Sequence, residues 1–211
     1  MTAVSIEPDA AEIRVLGCLI EKQRTTPEAY PLSVNALRLA CNQSTGRDPV
    51  VDYDDHTVLG ALEQLGRRRW TRLASGAGSR ARKYRQLLDR ELPASEPELA
   101  VLCVLMLRGA QTPGELKQRS ERLHPFADPA AVEDTLLGLI DRELVGVRDR
   151  RPGQKEQRYE QLLGGAARPE PAATPEPSPQ REPDRLERLE SGVAQLRREL
   201  DALKAELGSS S

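Results

Sequence analysis

The strongest constraint on this chain is that it repeats itself. Asp9-Ala10-Ala11-Glu12 opens the apolar run Ile13, Val15, Leu16, Leu19, Ile20, and 86 positions later Ser95-Glu96-Pro97-Glu98 opens Leu99, Val101, Leu102, Leu105, Met106. Both openings place a capping side chain three residues before a glutamate, the pattern of a helix N-terminus. Thr26-Pro27-Glu28 and Thr112-Pro113-Gly114-Glu115 share that offset. The offset then falls to 74, where Asp54, Val58, Leu62 and Leu65 match Asp128, Val132, Leu136 and Leu139. It ends at 75, where Lys83-Tyr84-Arg85-Gln86-Leu87-Leu88 matches Arg158-Tyr159-Glu160-Gln161-Leu162-Leu163. Matches in one order along the chain predict two copies of one domain, with about a dozen extra residues in the first.

Each copy reads as three helices closed by a hairpin. A first helix (residues 10–22; 96–107) leads through a Thr-Pro connection to a second (near 34–42; near 113–123). A third starts at an aspartate N-cap, Asp54 or Asp128, the latter followed by Pro129 at the favoured first position. Its stripe is Val58, Ala61, Leu62, Leu65 in one copy and Val132, Leu136, Leu139, Ile140 in the other, a helical period. Two short β-type runs follow in each copy, residues 70–74 and 81–87, then 144–148 and 157–162. The extra residues of the first copy fall in the 28–32 stretch and in a 42–51 loop rich in turn formers. The fold class expected is mainly α with small β-hairpin wings (α+β): two tandem winged-helix domains over residues 9–90 and 94–163.

Past Leu163 the pattern changes. Residues 164–183 are rich in proline and alanine without apolar period, which predicts a disordered linker. In residues 184–207, Leu186, Leu189, Val193, Leu196, Leu200, Leu203 and Leu207 recur at spacings of three and four, a three-heptad coiled-coil seam. The expectation is self-association, most simply a parallel dimer.

Composition narrows the class further. Only six of 211 residues are aromatic, so the core must be aliphatic, which suits helices packed through Leu, Val and Ile. Cys18, Cys41 and Cys103 are odd in number and lack CxxC spacing, so they read as buried free thiols of a reducing compartment. No apolar run approaches a membrane span, and Met1–Asp9 carries two acids and no base, unlike a secretory or transit peptide. A cytoplasmic protein without membrane contact is expected.

Long motifs in the repeated segments carry a family resemblance. Leu16-Gly17-Cys18-Leu19-Ile20-Glu21-Lys22-Gln23, the run from Thr25 to Asn35, Ala40-Cys41-Asn42-Gln43, and Arg47-Asp48-Pro49-Val50 resemble the YceH-like family of bacterial proteins. Leu107-Arg108-Gly109-Ala110-Gln111-Thr112-Pro113-Gly114-Glu115-Leu116 is similar to another signature of that family. The resemblance spans roughly residues 9–163 and implies a tandem winged-helix fold. It implies no catalytic residues.

The net charge of −2 hides a segregation. Residues 10–90 carry 14 basic against 9 acidic side chains, and residues 91–164 carry 10 against 13. The extreme segment holds Arg67, Arg68, Arg69, Arg72, Arg80, Arg82, Lys83 and Arg85 against the single Glu63. A winged helix gathers these at the end of its third helix and on its hairpin, where they would hold phosphates without reading sequence. The bland alternative is a solvated arginine-rich surface with local ion pairs. Sequence reading by the third helix has less support. Outward positions of the first copy are Asp55, His56, Gly60, Glu63, Gln64 and Arg67, of which only Gln64 and Arg67 are base-reading types. The second copy shows Glu133, Asp134 and Asp141 there.

Enzyme chemistry finds no motif. His56 and His124 stand alone, no metal-ligand spacing or phosphate loop is present, and Ser33 and Thr112 are better read as helix caps than as nucleophiles. No catalytic residue, cofactor or metal is therefore expected. Tyr84, Tyr159 and Trp70 read as packing residues. Two functions stay open: a DNA-associated, regulator-like protein with duplex DNA as partner, and an interaction scaffold with a protein partner.

Overall fold

Two apolar helices form the centre of the molecule. In the computed structural model, which describes residues 7–74, 81–148 and 156–164, helix α1 spans Ala10–Thr25 and helix α5 spans Glu96–Arg108. Both are buried nearly all round, from Glu12 to Ile20 and from Leu99 to Leu107. A helix apolar on every face must be covered on every face. Each of these two covers the other and is covered in turn by its own repeat's helices. Gly17 lies at their crossing, where an added Cβ would come within 3.0–3.1 Å of Leu107 and Met106. Cys103, 86 positions on, donates its thiol to the Gly17 carbonyl at 3.4 Å. Equivalent positions of the two repeats thus meet each other, as they do beside a two-fold axis.

Around this pair the two repeats are built alike, mainly helical with small antiparallel sheets. The first continues with a 3-10 turn at Pro27–Ala29, β1 (Leu32–Ser33), α2 (Val34–Cys41), α3 (Asp55–Arg67), β2 (Thr71–Leu73), β3 (Lys83–Gln86) and the short α4 (Leu88–Glu91). The second continues with α6 (Pro113–Ser120), α7 (Pro129–Asp141), β4 (Val145–Arg148) and β5 (Arg158–Gln161). The first sheet has the order β1-β3-β2, with Thr71 opposite Gln86, Arg72 opposite Arg85 and Leu73 opposite Tyr84. The second pairs β4 with β5, and a single bridge from Gln111 to Tyr159 stands where β1 stands in the first.

Local chemistry sets the helix starts. Asp9 accepts the Glu12 N–H at 2.8 Å while Glu12 accepts the Asp9 N–H at 2.9 Å, a closed capping box. Glu98 accepts the Ser95 N–H and hydroxyl at the matching place in α5. Asp54 and Asp128 cap α3 and α7 through the N–H groups of Thr57 and Ala131. The third helices end alike too, on left-handed residues, Arg69 (φ 65°) and Glu143 (φ 55°).

The same carboxylates tie first helix to third. Arg68, following α3, pairs with Glu12 at 3.1 Å, and Arg142, following α7, pairs with Glu98 at 3.1 Å. The first pair is the more buried, with side chains 10% and 3% exposed against 34% and 16%.

The second helices start near residues 34 and 113 on the expected caps, Ser33 and Thr112. The Thr-Pro pairs that share the offset of 86 do different work. Thr112 caps α6, accepting the Glu115 N–H at 3.2 Å with Pro113 at the first helical position. Thr26-Pro27 only opens the 3-10 turn, and the cap of α2 is Ser33, which accepts the Ala36 N–H at 3.3 Å. The structural offset at the second helix is therefore 79, between Val34 and Pro113.

The second insertion, residues 42–51, is held from beneath by two buried arginines. Arg47, with a side chain 1% exposed, pairs with Glu21 at 2.6 Å and donates to the Ala40 and Gly46 carbonyls and to Gln43. Arg14 donates to the carbonyls of Cys41 (3.2 Å) and Pro49 (2.6 Å). The Asp48 N–H donates to the Leu107 carbonyl at 2.9 Å, fastening the insertion to the end of α5. Cys18, Cys41 and Cys103 are free and buried; the hydrogen bond with Cys18 and then burial push the Cys41 thiol up, and burial pushes the Cys103 thiol up.

The chain divides into two units, Met1–Ala167 and Arg168–Ser211. The linker expected over residues 164–183 lies, beyond Gly164, outside the described residues, as does the whole seam from Leu186 through Leu189, Val193, Leu196, Leu200 and Leu203 to Leu207. Among the described residues no helix is long and apolar enough to cross a membrane.

Candidate nucleic-acid interface

The basic segment spreads over three kinds of place. Arg68 belongs to the scaffold, since its guanidinium pairs with Glu12 and lies 5.9 Å from the Trp70 ring centroid. Arg67 is on the outer face of α3 and pairs with Glu63 at 2.5 Å, one turn earlier. Arg69, Arg72, Arg82 and Lys83 are exposed, and Arg85 is half-buried. Arg80 lies outside the described residues.

Strand alternation decides which way the sheet residues face. Thr71 and Gln86 are buried, so their neighbours Arg72 and Arg85, directly opposite each other, face outward, and Lys83 joins them two residues along β3. Like charges directly opposite in a ladder are destabilising. The Tyr30 hydroxyl accepts the Gln86 N–H at 2.7 Å and sits beside Arg85, and burial raises the Tyr30 pKa, so it stays a neutral neighbour. Among the described residues, Arg69, Arg72, Arg82, Lys83 and Arg85 have no carboxylate within ion-pair distance.

The second sheet treats the same positions differently. Arg85 corresponds to Glu160, which pairs with Arg148 at 2.6 Å. Lys83 corresponds to Arg158, which pairs with Glu115 at 3.2 Å and donates to the Ala110 carbonyl at 2.8 Å. Arg72 corresponds to Gly146, where a Cβ would meet the Leu162 side chain at 3.1 Å. Charge is cancelled there, or its place is filled by packing.

The third helices present little for base reading. On α3, Asp55 pairs with Arg38 at 2.8 Å and Glu63 with Arg67, while Gln64, expected to face outward, is half-buried with its Oε1 enclosed. His56 and Gly60 are exposed, as are Glu133, Asp134 and Asp141 on α7. Tyr84, Tyr159 and Trp70 pack, half-buried, against the core. His124 stacks edge-on to Phe126 with ring centroids 4.8 Å apart. Among the described residues no group of three His, Cys, Asp or Glu side chains is placed to hold a metal ion. The sequence reading missed the buried Arg14 and Arg47, which carry no local signal because arginine is an exposed residue type by default.

Residues 9–154 match the family described as "Protein of unknown function, DUF480". The chain is 50% identical over 194 residues to a UPF0502 protein of Geotalea uraniireducens (strain Rf4), covering 88% of each chain. It is 44% identical over 209 residues to a UPF0502 protein of Enterobacter sp. (strain 638), covering 94% of this chain and 97% of that one. These matches span the segments whose motifs carry the YceH-like resemblance, and the chain belongs to this DUF480 family of bacterial proteins.

Proposed function

We propose that this is a non-enzymatic, cytoplasmic protein of two tandem winged helices, in which the sheet of the first holds the phosphates of duplex DNA without reading sequence. The observation that carries this reading is the outward Arg72–Arg85 pair with Lys83, Arg82 and Arg69 around it, all without carboxylate partners among the described residues. An anion laid across that face relieves the repulsion of the facing arginines. Duplex phosphates fit the face better than a single strand does, because Trp70 and Tyr84 pack against the core and leave no aromatic platform for bases. The test is a salt titration of duplex affinity. Neutralising about five phosphates gives a log–log slope of about −4.5. A slope near zero contradicts the reading.

A second reading, an interaction scaffold with a protein partner, is favoured by α7, where Leu137 is 59% exposed on a helix that also exposes Glu133, Asp134 and Asp141. It predicts a protein retained on pull-down and no salt-dependent duplex binding. Self-association through residues 184–207 belongs to either reading. A full chain that sediments as a monomer at ~10⁻⁵ M, a weak-association concentration, contradicts it.

A further inference from the structure

The junction of the insertion with the second repeat gathers more arginines than carboxylates. Arg108 ends α5, half-buried, and its side chain makes no hydrogen bond or ion pair among the described residues. Among the described residues Arg119 has only Glu115 at 3.6 Å, a carboxylate it shares with Arg158 at 3.2 Å and with the Thr112 N–H. Arg47 is already committed to Glu21. Burial, then the charges of Arg119 and Arg47, lower the Arg108 pKa against the pull of Glu21, as in a site short of negative charge.

The loop facing Arg108 leaves donors without protein acceptors among the described residues. Gly46 is left-handed (φ +72°), and the place a Cβ would occupy lies 3.1 Å from an Arg108 terminal nitrogen, so the guanidinium rests over the loop's backbone. The N–H groups of Ser44, Thr45 and Gly46 have no protein acceptor among the described residues, and Ser44 and Thr45 are exposed. The loop is held in place by the Arg47 and Arg14 bonds to Ala40 and Pro49 and by the Asp48 N–H on Leu107. Asp48 itself is exposed and makes no ion pair among the described residues. These residues lie in the two motifs, around Arg47 and around Arg108, that the proposed DNA contact leaves without a role.

We propose that Arg108 and the Ser44–Gly46 loop bind a phosphoryl dianion, with the guanidinium donating to its oxygens and the loop's N–H and hydroxyl groups completing the cradle. The charge-assisted donors select a phosphoryl group over a monoanion such as chloride.

The test follows the melting temperature of the full chain with inorganic phosphate, against sodium chloride at equal ionic strength. Phosphate raises it in a saturable way and chloride does not. Arg108→Met weakens the apparent phosphate affinity at least tenfold, and Arg108→Gln, of similar length and polar at its tip, gives the same reading should the Met variant not fold. The combined variant Arg72→Glu, Lys83→Glu, Arg85→Glu keeps the phosphate response. An undiminished response in the Arg108 variants, an equal response to chloride, or a response lost in the sheet variant overturns the site. A short duplex then separates the sources. If Arg108→Gln also weakens duplex affinity tenfold, the phosphoryl group is a nucleic-acid phosphate; if duplex affinity is unchanged, it is a free one.

Discussion

The two sheets have the same pairing and opposite electrostatics. In both, a residue just after the third helix pairs with the capping-box glutamate of the first helix, Arg68 with Glu12 and Arg142 with Glu98. Outside that shared frame the likeness stops. Arg85 in one sheet becomes Glu160 in the other, already matched to Arg148, and Lys83 becomes an arginine held by Glu115. Ion pairs that recur in both repeats serve folding. Charges left without partners in one repeat alone are a stronger pointer to function, because folding gains nothing from them.

The largest test of this division falls on the insertion that the second repeat lacks. Arg47→Met removes the main partner of the Glu21 carboxylate, leaving it only Lys22 at 3.4 Å among the described residues, and costs about 3 kcal/mol of stability, the low end for breaking a buried pair. Burial by itself raises the Glu21 pKa, but the hydrogen bonds and charge of Arg47, with Lys22, lower it overall. A lowered carboxylate contributes stability above its unfolded pKa of about 4.3 and loses it as pH falls through the lower folded value. Urea midpoints of the two proteins therefore differ most at neutral pH and converge on acidification. A gap independent of pH would assign the loss to packing alone.

The next test compares the repeats directly. Glu12→Gln and Glu98→Gln keep the capping hydrogen bonds and remove one charge each. The first costs about 2 kcal/mol because Arg68 is left largely buried, between the values for exposed and buried pairs. The second costs below about 1 kcal/mol because Arg142 is a third exposed. Equal losses in chemical denaturation would mean that burial does not separate the two pairs.

What the sequence made legible and what it hid follow one physical line. Periodic burial and capping are local, so α1, α3, α5 and α7 stand where Ile13–Ile20, Val58–Leu65 and their partners place them. The cluster of basic residues was visible as a local run, but which of them face outward was decided only by the strand pairing. Long-range partners are not local. Nothing near Arg68 announces Glu12, 56 residues earlier, and nothing near Arg47 announces Glu21 beneath it. The caps Ser33 and Thr112 were legible because capping is local, whereas nothing local tells that Thr26-Pro27 opens a 3-10 turn and Thr112-Pro113 a helix.

The measurement closest to the central claim is a duplex titration at low salt with two full-length variants. One carries Arg72→Glu, Lys83→Glu and Arg85→Glu on the first sheet; the other exchanges the charges of the second sheet through Arg148→Glu and Glu160→Arg. With three phosphate contacts at ~1 kcal/mol each, the first variant binds on the order of a hundredfold more weakly, and equally so for unrelated duplex sequences. The second variant keeps the affinity of the unaltered chain. Equal losses in both variants, or no loss in the first, would contradict the assignment of DNA contact to the first sheet.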